Sequence, residues 1–482
     1  MNRHINVLMG IVLCVLVARS LGWSASATAQ TPVVTTASSD LTLEEVIVTA
    51  QRRSERVQDV PIAVTAVSGT ELEDRGVRQA GDIAALVPNL QLSLPYGEEA
   101  QPTFALRGVT TNDWSQNQSS PIAMYVDDVY KPVGAVQALQ TYDLDRVEVL
   151  RGPQGTLYGK NATGGAMNFY TRNPSLTAYD GYLTAGISNF NGRQVEGAVG
   201  GPISDGTLAW RVAGFYDKRD GWMNTVVPGV QPLNGVDAYG GRLTLLWKPS
   251  SAFDLLFKFG STHSGGTPYG AKALNVDPAV VGTDGNYGGW WNGGAKYAID
   301  KKLDHTNGAL KMDWQFSEHY TLTAVSGYDY GNWYERSDDG ALWKADNGDV
   351  LHIDDPNLYS SSINAWSQEV RIASHDTGAF GWLAGGYYGR DTTHYNEQFH
   401  FFDSTFQGFY APQQPLLWGF DEYNNFDQDR TSKALFFNAN YDVAPNVKLR
   451  GGVRYTKDDI TIRNFYALLG GMSDRPTVNG PD

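Results

Sequence analysis

The sequence predicts a mainly β protein, in which a small α/β domain precedes an antiparallel transmembrane β-barrel that is incomplete in this chain. Beyond about residue 173, apolar and polar residues alternate over short segments, which is the pattern of strands with one polar face. The chain of 482 residues contains 53 glycines, 12% aromatic residues and 18% charged residues. After the N-terminal leader, no apolar run reaches the ~18 residues of a membrane helix. Together these observations favour a barrel with a polar interior.

The N-terminus has the pattern of a secretory signal peptide covering residues 1–29. Arg3 supplies a positive charge, Ile5–Val17 is almost purely apolar, and Ala27–Ala29 is a small-residue cleavage site. Cys14 is the single cysteine and lies inside the apolar run. We therefore expect a mature protein without disulfides or thiolate metal sites. An exported chain of this size without disulfides indicates a bacterial envelope.

Residues 30–54 are predicted to form a flexible segment that contains one short β-prone stretch. This stretch is made of Glu44, Glu45, Val46, Ile47, Val48, Thr49 and Ala50. It has no evident partner strand nearby in the sequence, so we expect an unpaired strand on a tether. Such a strand is a template to which another protein adds its own strand. The stretch alone is equally compatible with the ordinary first strand of a domain.

Residues 55–172 alternate between helical and extended patterns on a compact scale, and predict one small α/β unit. Its length of roughly a hundred residues is enough for a core of its own. The predicted strands are Ile62–Val67, Thr103–Val109, Ala123–Tyr130, Arg146–Leu150 and Ala166–Thr171. The predicted helices are Gly69–Asp74, Gln79–Leu86 and Ala135–Leu139.

Residues 173–482 are predicted to form the strands of the barrel. Asp180–Ser188 and Arg193–Gly200 form a hairpin, because Asn189–Gly192 between them has favourable turn residues. Other compact turns are predicted at Gly201–Thr207, Lys248–Ala252, Phe316–His319, His375–Phe380 and Val443–Val447. Longer aromatic-rich loops are expected at Gly288–Ala295 and Gln398–Asn425. Short turns on one side and long loops on the other are typical of membrane barrels.

The predicted barrel has about eleven strands, whereas a closed bacterial barrel has an even number. An open sheet in lipid would leave two edges with unsatisfied backbone groups. We therefore expect this sequence to be the N-terminal part of a longer protein, which does not close a pore by itself.

Three blocks of sequence resemble the TonB-dependent outer-membrane receptors. Residues 44–53 look like the TonB box with its flanking residues, and residues 104–108 and 124–130 look like the middle of the plug domain. Residues 145–159 and 164–172 resemble the most specific stretch of that plug. The resemblance assigns plug-motif roles to Arg107, Gly108, Asp127, Arg146, Glu148, Arg151, Gly152, Gly155, Tyr158 and Gly159.

Other interpretations of the same residues are weaker. Residues 155–161 look like a phosphate-binding loop, but it is one residue short and Asn161 replaces the required Ser or Thr. Asp127 and Asp128 are adjacent on a predicted strand, so their side chains point to opposite faces and do not form a metal site. We interpret them as polar surface or as hydrogen-bonding groups between plug and barrel wall. No metal, cofactor or catalytic site is predicted, and the chain is not expected to be an enzyme.

The resemblance implies a receptor in the outer membrane of a Gram-negative bacterium. Such a receptor binds a scarce nutrient outside the cell, most often a ferric chelate, and releases it into the periplasm. The periplasmic domain of TonB pairs with the 44–50 stretch and transmits the energy. The expected partners are therefore TonB, outer-membrane lipid and a small extracellular ligand. The net charge of −15 argues against nucleic acid.

Several alternatives stay open from sequence alone. The nutrient is a ferric siderophore-type chelate in the preferred interpretation, and an oligosaccharide or another small organic compound in the main alternative. A passive porin shares the barrel but has no use for a TonB box or a plug. A soluble glycan-binding β-protein shares the aromatic composition. The short interval between Ala29 and Glu44 also predicts transport without an additional signalling domain.

Overall fold

The computed structural model describes residues 47–471. Within that range it leaves out 54, 78–79, 95–101, 112–117, 139–140, 205, 226–230, 270–291, 294–298, 339–341, 345–349, 353–355, 376–377, 403–418 and 445–446. The predicted signal peptide, Glu44–Val46 of the predicted TonB box and most of the aromatic stretch at Gly288–Ala295 lie outside the described residues.

Residues 55–172, called the N-terminal domain below, contain short strands and short helices. A preceding strand, β1, spans Ile47–Val48. The other strands are β2 Glu55–Arg56, β3 Ala63–Ser68, β4 Leu90–Ser93, β5 Thr103–Leu106, β6 Ile122–Val126, β7 Val129–Lys131, β8 Leu144–Arg151 and β9 Gly165–Thr171. The α-helices are α1 Gly69–Asp74 and α2 Gly155–Tyr158, and the 3-10 helices are Val57–Asp59, Ala80–Ala85 and Gly134–Val136.

Five of these strands form one mixed sheet in the order β3-β8-β9-β6-β7. The β6 and β9 strands are parallel, and the other neighbours are antiparallel. One face of the sheet packs with α1 and the Ala80–Ala85 turn into a core. Its fully buried members include Ile83, Leu106, Val147, Val149 and Met167. This core explains why roughly a hundred residues hold a defined structure.

The first helix begins and ends where its sequence dictates. Ser68 lies at the N-cap, and its Oγ accepts a hydrogen bond from the Glu71 backbone N–H at 3.2 Å. That contact satisfies one of the free donors of the first turn. Gly76 follows the helix with φ of +68°, a conformation that favours glycine and stops the helix. The predicted helix Gly69–Asp74 is therefore confirmed residue for residue.

A second, much larger sheet follows and contains eleven strands, the number expected from sequence. They are β10 Asp180–Ser188, β11 Gly192–Ser204, β12 Leu208–Arg219, β14 Val236–Ser250, β15 Phe253–Gly266, β17 Asp300–Ser317, β18 Tyr320–Asp338, β21 Pro356–Ser374, β22 Phe380–Phe402, β23 Gly419–Ala444 and β24 Val447–Gly471. Two-residue or three-residue strands make small side sheets: β13 Asn224–Thr225, β16 Asn292–Gly293, β19 Leu342–Lys344 and β20 Val350–His352. Each large strand pairs antiparallel with its neighbour in the chain.

The large sheet has an inner face, which contacts the N-terminal domain, and an outer face. Apolar side chains on the outer face are exposed, including Leu183, Val212, Phe257, Leu310, Trp366 and Leu435. Because side chains of a strand alternate between faces, each strand gives its polar or small residues to the interior. This is the distribution of a sheet that faces lipid outside and a polar interior inside. The predicted mainly β fold with a preceding α/β domain is confirmed.

The predicted compact turns are confirmed, since only two to five residues separate the strands of each pair β11–β12, β14–β15, β17–β18, β21–β22 and β23–β24. Among the described residues, β10 pairs only with β11 and β24 only with β23. No helix in the described part of the chain is long and apolar enough to cross a membrane.

Several details differ from the prediction. The stretch Ala123–Tyr130 is not one strand but the hairpin β6–β7, with Asp127 and Asp128 in its turn. The predicted helix Gln79–Leu86 is a 3-10 helix that spans Ala80–Ala85. The expected long loop Gln398–Asn425 is shorter, because β22 continues to Phe402 and β23 begins at Gly419.

Candidate functional site

The described end of the predicted TonB box is docked against the N-terminal domain. Ile47 and Val48 pair with Arg56 and Glu55, so β1 and β2 form a two-residue antiparallel ladder. The expectation of an unpaired strand was therefore wrong for these residues. The partner strand was overlooked because two residues are too few to show an alternating pattern. Val48 and Ala50 are fully buried, in a cluster shared with β8, β9 and two strands of the large sheet.

Thr49 makes the polar contacts that hold this stretch to the N-terminal domain. Its backbone N–H donates to Glu148 Oε1 at 2.9 Å, and its hydroxyl oxygen lies 2.6 Å from that of Tyr170. Glu148 is fully buried and also accepts from Arg146 Nε at 2.8 Å. Both Arg146 and Glu148 belong to the predicted plug motif. The alternating strand β8 places them on the face that Thr49 covers, which explains their side-by-side arrangement.

Arg52 follows the predicted box and enters a closed cage. Its guanidinium lies 4.7 Å from the ring centroids of both Tyr125 and Tyr158, and Nη1 donates to Asp128 Oδ1 at 2.9 Å. Glu369 of β21 lies 4.0 Å from Nη2. Two aromatic faces and two carboxylates are a favourable site for a desolvated guanidinium.

The electrostatics of the cage follow from these charges. Burial alone lowers the pKa of Arg52, but Glu369 and Asp128 outweigh it and hold that pKa above its ordinary value. Burial alone raises the pKa of Asp128, but Lys311, Arg371 and Arg52 hold it far below its ordinary value. Burial raises the pKa of the Tyr125 and Tyr158 hydroxyls. The cage is therefore a fixed ion pair with neutral aromatic walls at physiological pH.

Asp127 and Asp128 form the turn of the β6–β7 hairpin, both with positive φ, 49° and 68°. This left-handed pair is the geometry of a tight hairpin turn. It sends the two carboxylates to different partners. Asp127 binds Lys258 Nζ at 2.8 Å and Asp128 binds Lys311 Nζ at 2.8 Å. Their interpretation as hydrogen-bonding groups between plug and wall agrees with the geometry, whereas their placement within a strand was wrong.

Further ion pairs join the N-terminal domain to neighbouring strands of the large sheet. Lys131 binds Asp329 at 2.6 Å, and His305 lies 2.8 Å from the same carboxylate. Asp143 receives two hydrogen bonds from Arg211, from Nη2 at 2.6 Å and Nε at 2.9 Å. All five side chains are nearly or fully buried, so each pair is shielded from solvent.

The remaining motif residues shape the backbone around Tyr158. Gly152 and Gly159 have φ of 97° and 82°, and a Cβ at Gly159 would lie 2.7 Å from the guanidinium of Arg454. Gly155 opens α2, and the Tyr158 hydroxyl accepts a hydrogen bond from Asn168 at 2.9 Å. The glycines thus let the chain turn tightly enough to place Tyr158 against Arg52.

Arg107, Gly108 and Arg151 lie away from the cage. Arg107 and Gly108 form an exposed turn with φ of 53° and 79°. Arg151 is half-buried, and its Nε has no hydrogen-bond partner among the described residues. The structure does not bring these three residues to the docked segment.

Sequence reasoning placed Arg52 and Tyr125 in blocks that resemble the family but gave them no contact role. It did not single out Lys311 or Glu369, which complete the cage. The sequence did carry one indication of these contacts. A lysine at an inward position of an alternating strand, such as Lys311 or Lys258, predicts a carboxylate partner inside the sheet. Within the described ranges, no group of three His, Cys, Asp or Glu side chains is placed to hold a metal ion.

Comparisons with known proteins show what this chain is similar to. A family model, the TonB-dependent receptor plug domain, matches residues 56–166. The pesticin receptor of Yersinia pestis is 35% identical over 205 residues, which are 42% of this chain and 30% of that protein. The iron-regulated outer membrane virulence protein of Vibrio cholerae is 30% identical over 215 residues, covering 42% and 31% of the two chains.

The crystal structure of the ferric yersiniabactin uptake receptor from Yersinia pestis superposes with a TM-score of 0.65 at 20% identity. The match covers 85% of this chain and 60% of that structure. The chain spans about a third of the length of the curated relatives it matches.

Proposed function

Because this chain belongs to the TonB-dependent receptors of the Gram-negative outer membrane, we propose that its protein imports a ferric chelate with energy delivered by TonB. TonB engages residues 44–50 by strand addition on the periplasmic side. The observation that carries this proposal is the docked segment, in which Val48, Thr49 and Arg52 tie the box to both the N-terminal domain and the wall.

The arrangement suits a segment that has to be released before it is pulled. The β1–β2 ladder has only two residue pairs, which is marginal by itself. Arg52 and Thr49 add specific contacts, so that without ligand the strand to which TonB binds stays docked on the N-terminal domain. Ligand binding outside the cell shifts the population toward the released segment by favouring it over the docked one. TonB then pairs with Val46–Val48 and draws the segment away from β8.

The pull acts directly on Arg52, and through Asp128 on the β6–β7 hairpin. Opening this part of the domain requires no covalent chemistry, only the disruption of contacts that are locally weak. Ferric chelate as cargo is supported by what the relatives are named for: one is iron-regulated, and one takes up ferric yersiniabactin. The division into residues 30–54, 55–172 and 173–482 stays a prediction and forms part of this proposal.

The test is proline substitution of Val48. Proline removes a backbone donor from any ladder that TonB forms, so uptake of ⁵⁵Fe supplied as ferric siderophores is expected to fall to background. Val48→Ile keeps both the donor and the β preference and is the matched control. Both variants are compared at equal abundance in the outer membrane of the native host.

A second readout separates strand addition from simple loss of docking. Disulfide trapping between Ile47→Cys and a cysteine in TonB is expected in the ligand-loaded protein and not with Val48→Pro. Normal uptake by the proline variant would refute strand addition at this segment. Uptake of an oligosaccharide instead of iron would keep the TonB mechanism and replace the cargo.

A further inference from the structure

Four polar side chains on the inner face of β22 and β23 each have one buried atom without a hydrogen-bond partner among the described residues. This wall patch consists of Thr393, Gln428, Arg430 and Ser432. All four are more than nine-tenths buried, and Thr393 lies directly opposite Gln428 in the strand register. Within the part of the chain that the structure describes, the atoms without a partner are Thr393 Oγ1, Gln428 Nε2, Arg430 Nη2 and Ser432 Oγ.

Such a concentration of unpartnered groups needs an explanation, because buried polar atoms are nearly always hydrogen-bonded. Elsewhere on the inner face, Arg211, Lys258 and Lys311 all have carboxylate partners on the N-terminal domain. Lone side chains of this kind occur in many proteins. Four such side chains lie close together on the paired strands β22 and β23, and this grouping indicates a binding site for a complementary ligand.

The chemistry of the patch identifies that complement. Gln428 Nε2 and Arg430 Nη2 are donors, and the two hydroxyls donate or accept. Arg430 is already oriented, since its Nε binds Asp391 at 3.0 Å and its Nη1 donates to Ser119 at 2.6 Å. A surface of fixed donors that includes a guanidinium binds acceptor oxygens, above all anionic ones.

The next inner-face pair along the same strands is aromatic. Tyr395 and Phe426 lie opposite each other, with ring centroids 5.1 Å apart. They stand on the side of the long β22–β23 connection. Trp333 and Tyr359 belong to the same cluster, which packs on Val133–Val136 of the N-terminal domain. An occupant of the patch therefore has acceptor oxygens at one end and an apolar or aromatic body at the other.

We propose that the wall patch is a subsite for the imported ligand, and that it binds the carboxylate, hydroxamate or phenolate oxygens of an anionic chelate. This rests on the proposed function. Arg430 also connects the subsite with the N-terminal domain, because Ser119 lies just before β6 and contacts the Pro132 carbonyl just after β7. An anion bound at Arg430 Nη2 is thus connected, through the Ser119 side chain, to the β6–β7 hairpin, whose Asp128 binds Arg52.

The experiment measures binding to the receptor purified from outer membranes of the native host. The probes are ferric citrate, a ferric hydroxamate and a ferric catecholate, followed by quenching of tryptophan fluorescence. Thr393→Val and Gln428→Leu remove the polar groups and keep the volume. Thr392→Val is the matched control, because Thr392 lies on the outer face of the same strand and its hydroxyl already binds Asp429 at 2.7 Å.

For the probe that the wild type binds, Thr393→Val and Gln428→Leu are each expected to weaken affinity about tenfold, and Thr392→Val less than about twofold. The thermal midpoint of ligand-free Thr393→Val and Gln428→Leu is expected to stay equal or rise, since each removes an unsatisfied buried group. Lower affinity at unchanged stability distinguishes a ligand contact from a structural one.

Wild-type affinity in both patch variants would overturn the subsite and leave the proposed import of ferric chelates intact. Binding of maltodextrin or cobalamin in place of every ferric probe would overturn the ferric cargo, and the same two variants then decide the subsite with that ligand. A wild-type receptor that binds none of these probes contradicts both proposals.

Discussion

The two sides of the large sheet hold the chain inside it in different ways. Strands β12 to β18 bind the body of the N-terminal domain through paired charges, for example Arg211 with Asp143 and Lys258 with Asp127. Strands β21 to β24 contact the docked segment as well as the body, and they reach the segment through Glu369 near Arg52, Asn440 at Arg53 and Arg450 at Gln51. A pull on the segment therefore acts first on its contacts with β21 to β24, while the ion pairs of β12 to β18 still hold the body.

The difference between the contacts of the docked segment and those of the body indicates how the N-terminal domain can open in part. The polar contacts of the segment with the large sheet are single hydrogen bonds or a distant ion pair. The contacts of the body are buried, and Asp143 receives a two-point bond from Arg211. Buried pairs of this geometry are hard to break one partner at a time. We expect force to remove the segment and the parts attached to it before it removes the body.

The largest effect is expected from Asp143→Ala, which removes a buried ion pair between the body of the N-terminal domain and β12. It leaves the fully buried guanidinium of Arg211 with only the exposed carboxylate of Asp180 at 2.9 Å. Removing one partner of a buried pair costs about 3–5 kcal/mol. Trypsin cleavage within the N-terminal domain of the purified receptor is expected to accelerate, without release of the docked segment.

The exposed pair Lys218–Asp237 gives the control for this variant. Both side chains are about half exposed, so Asp237→Ala is expected to change stability by less than about 1 kcal/mol. Equal protease resistance of Asp143→Ala and Asp237→Ala would show that the body is not held by its buried charges.

A smaller effect is expected from Arg52→Ala, which removes the contacts of the docked segment with Asp128 and Glu369. It removes a stacked guanidinium but leaves Asp128 with Lys311 at 2.8 Å, so the loss is about 2 kcal/mol. A spin label at Ile47→Cys is expected to become mobile without ligand. Arg52→Lys keeps the charge and loses the flat stacking surface, so its label is expected to be intermediate. An immobile label in Arg52→Ala would show that Thr49 alone holds the segment.

The smallest effect is expected from mild acid. Because the pKa of Asp128 is depressed in the folded protein, its stabilisation is complete above the unfolded pKa of about 4 and is lost only as pH falls through the lower folded value. The same spin label is therefore expected to stay immobile between pH 7 and pH 5. Release within that range would assign the holding contact to a group other than Asp128.

Much of the fold was predictable from sequence because strands of the large sheet alternate over many residues. The hairpin Asn189–Gly192, the short turns and the number of strands all follow from that periodicity and from turn residues. The Asp127–Asp128 turn was not predictable in this way, since aspartates inside an apolar run resemble an alternating strand.

The site was less predictable than the fold. Arg52 meets Asp128 and Glu369, which lie 76 and 317 positions further along the chain, and nothing local announces such a contact. The wall patch is equally hidden, because Thr393 and Gln428 become neighbours only through strand pairing. Local pattern fixes which face a side chain occupies, whereas its partner depends on how distant strands are aligned.

The adjacent carboxylates of the β6–β7 turn also affect the register in which strands β15 and β17 pair during folding. Lys258 and Lys311 reach Asp127 and Asp128 only when β15 and β17 are in their observed register. A one-residue slip of either strand would turn its lysine to the lipid side, which is unfavourable for a charged side chain. It would also separate that lysine from its carboxylate, so that Asp127 loses Lys258 or Asp128 keeps only its contact with Arg52. Two adjacent aspartates thus penalise misfolded membrane insertion, quite apart from any part they play in transport.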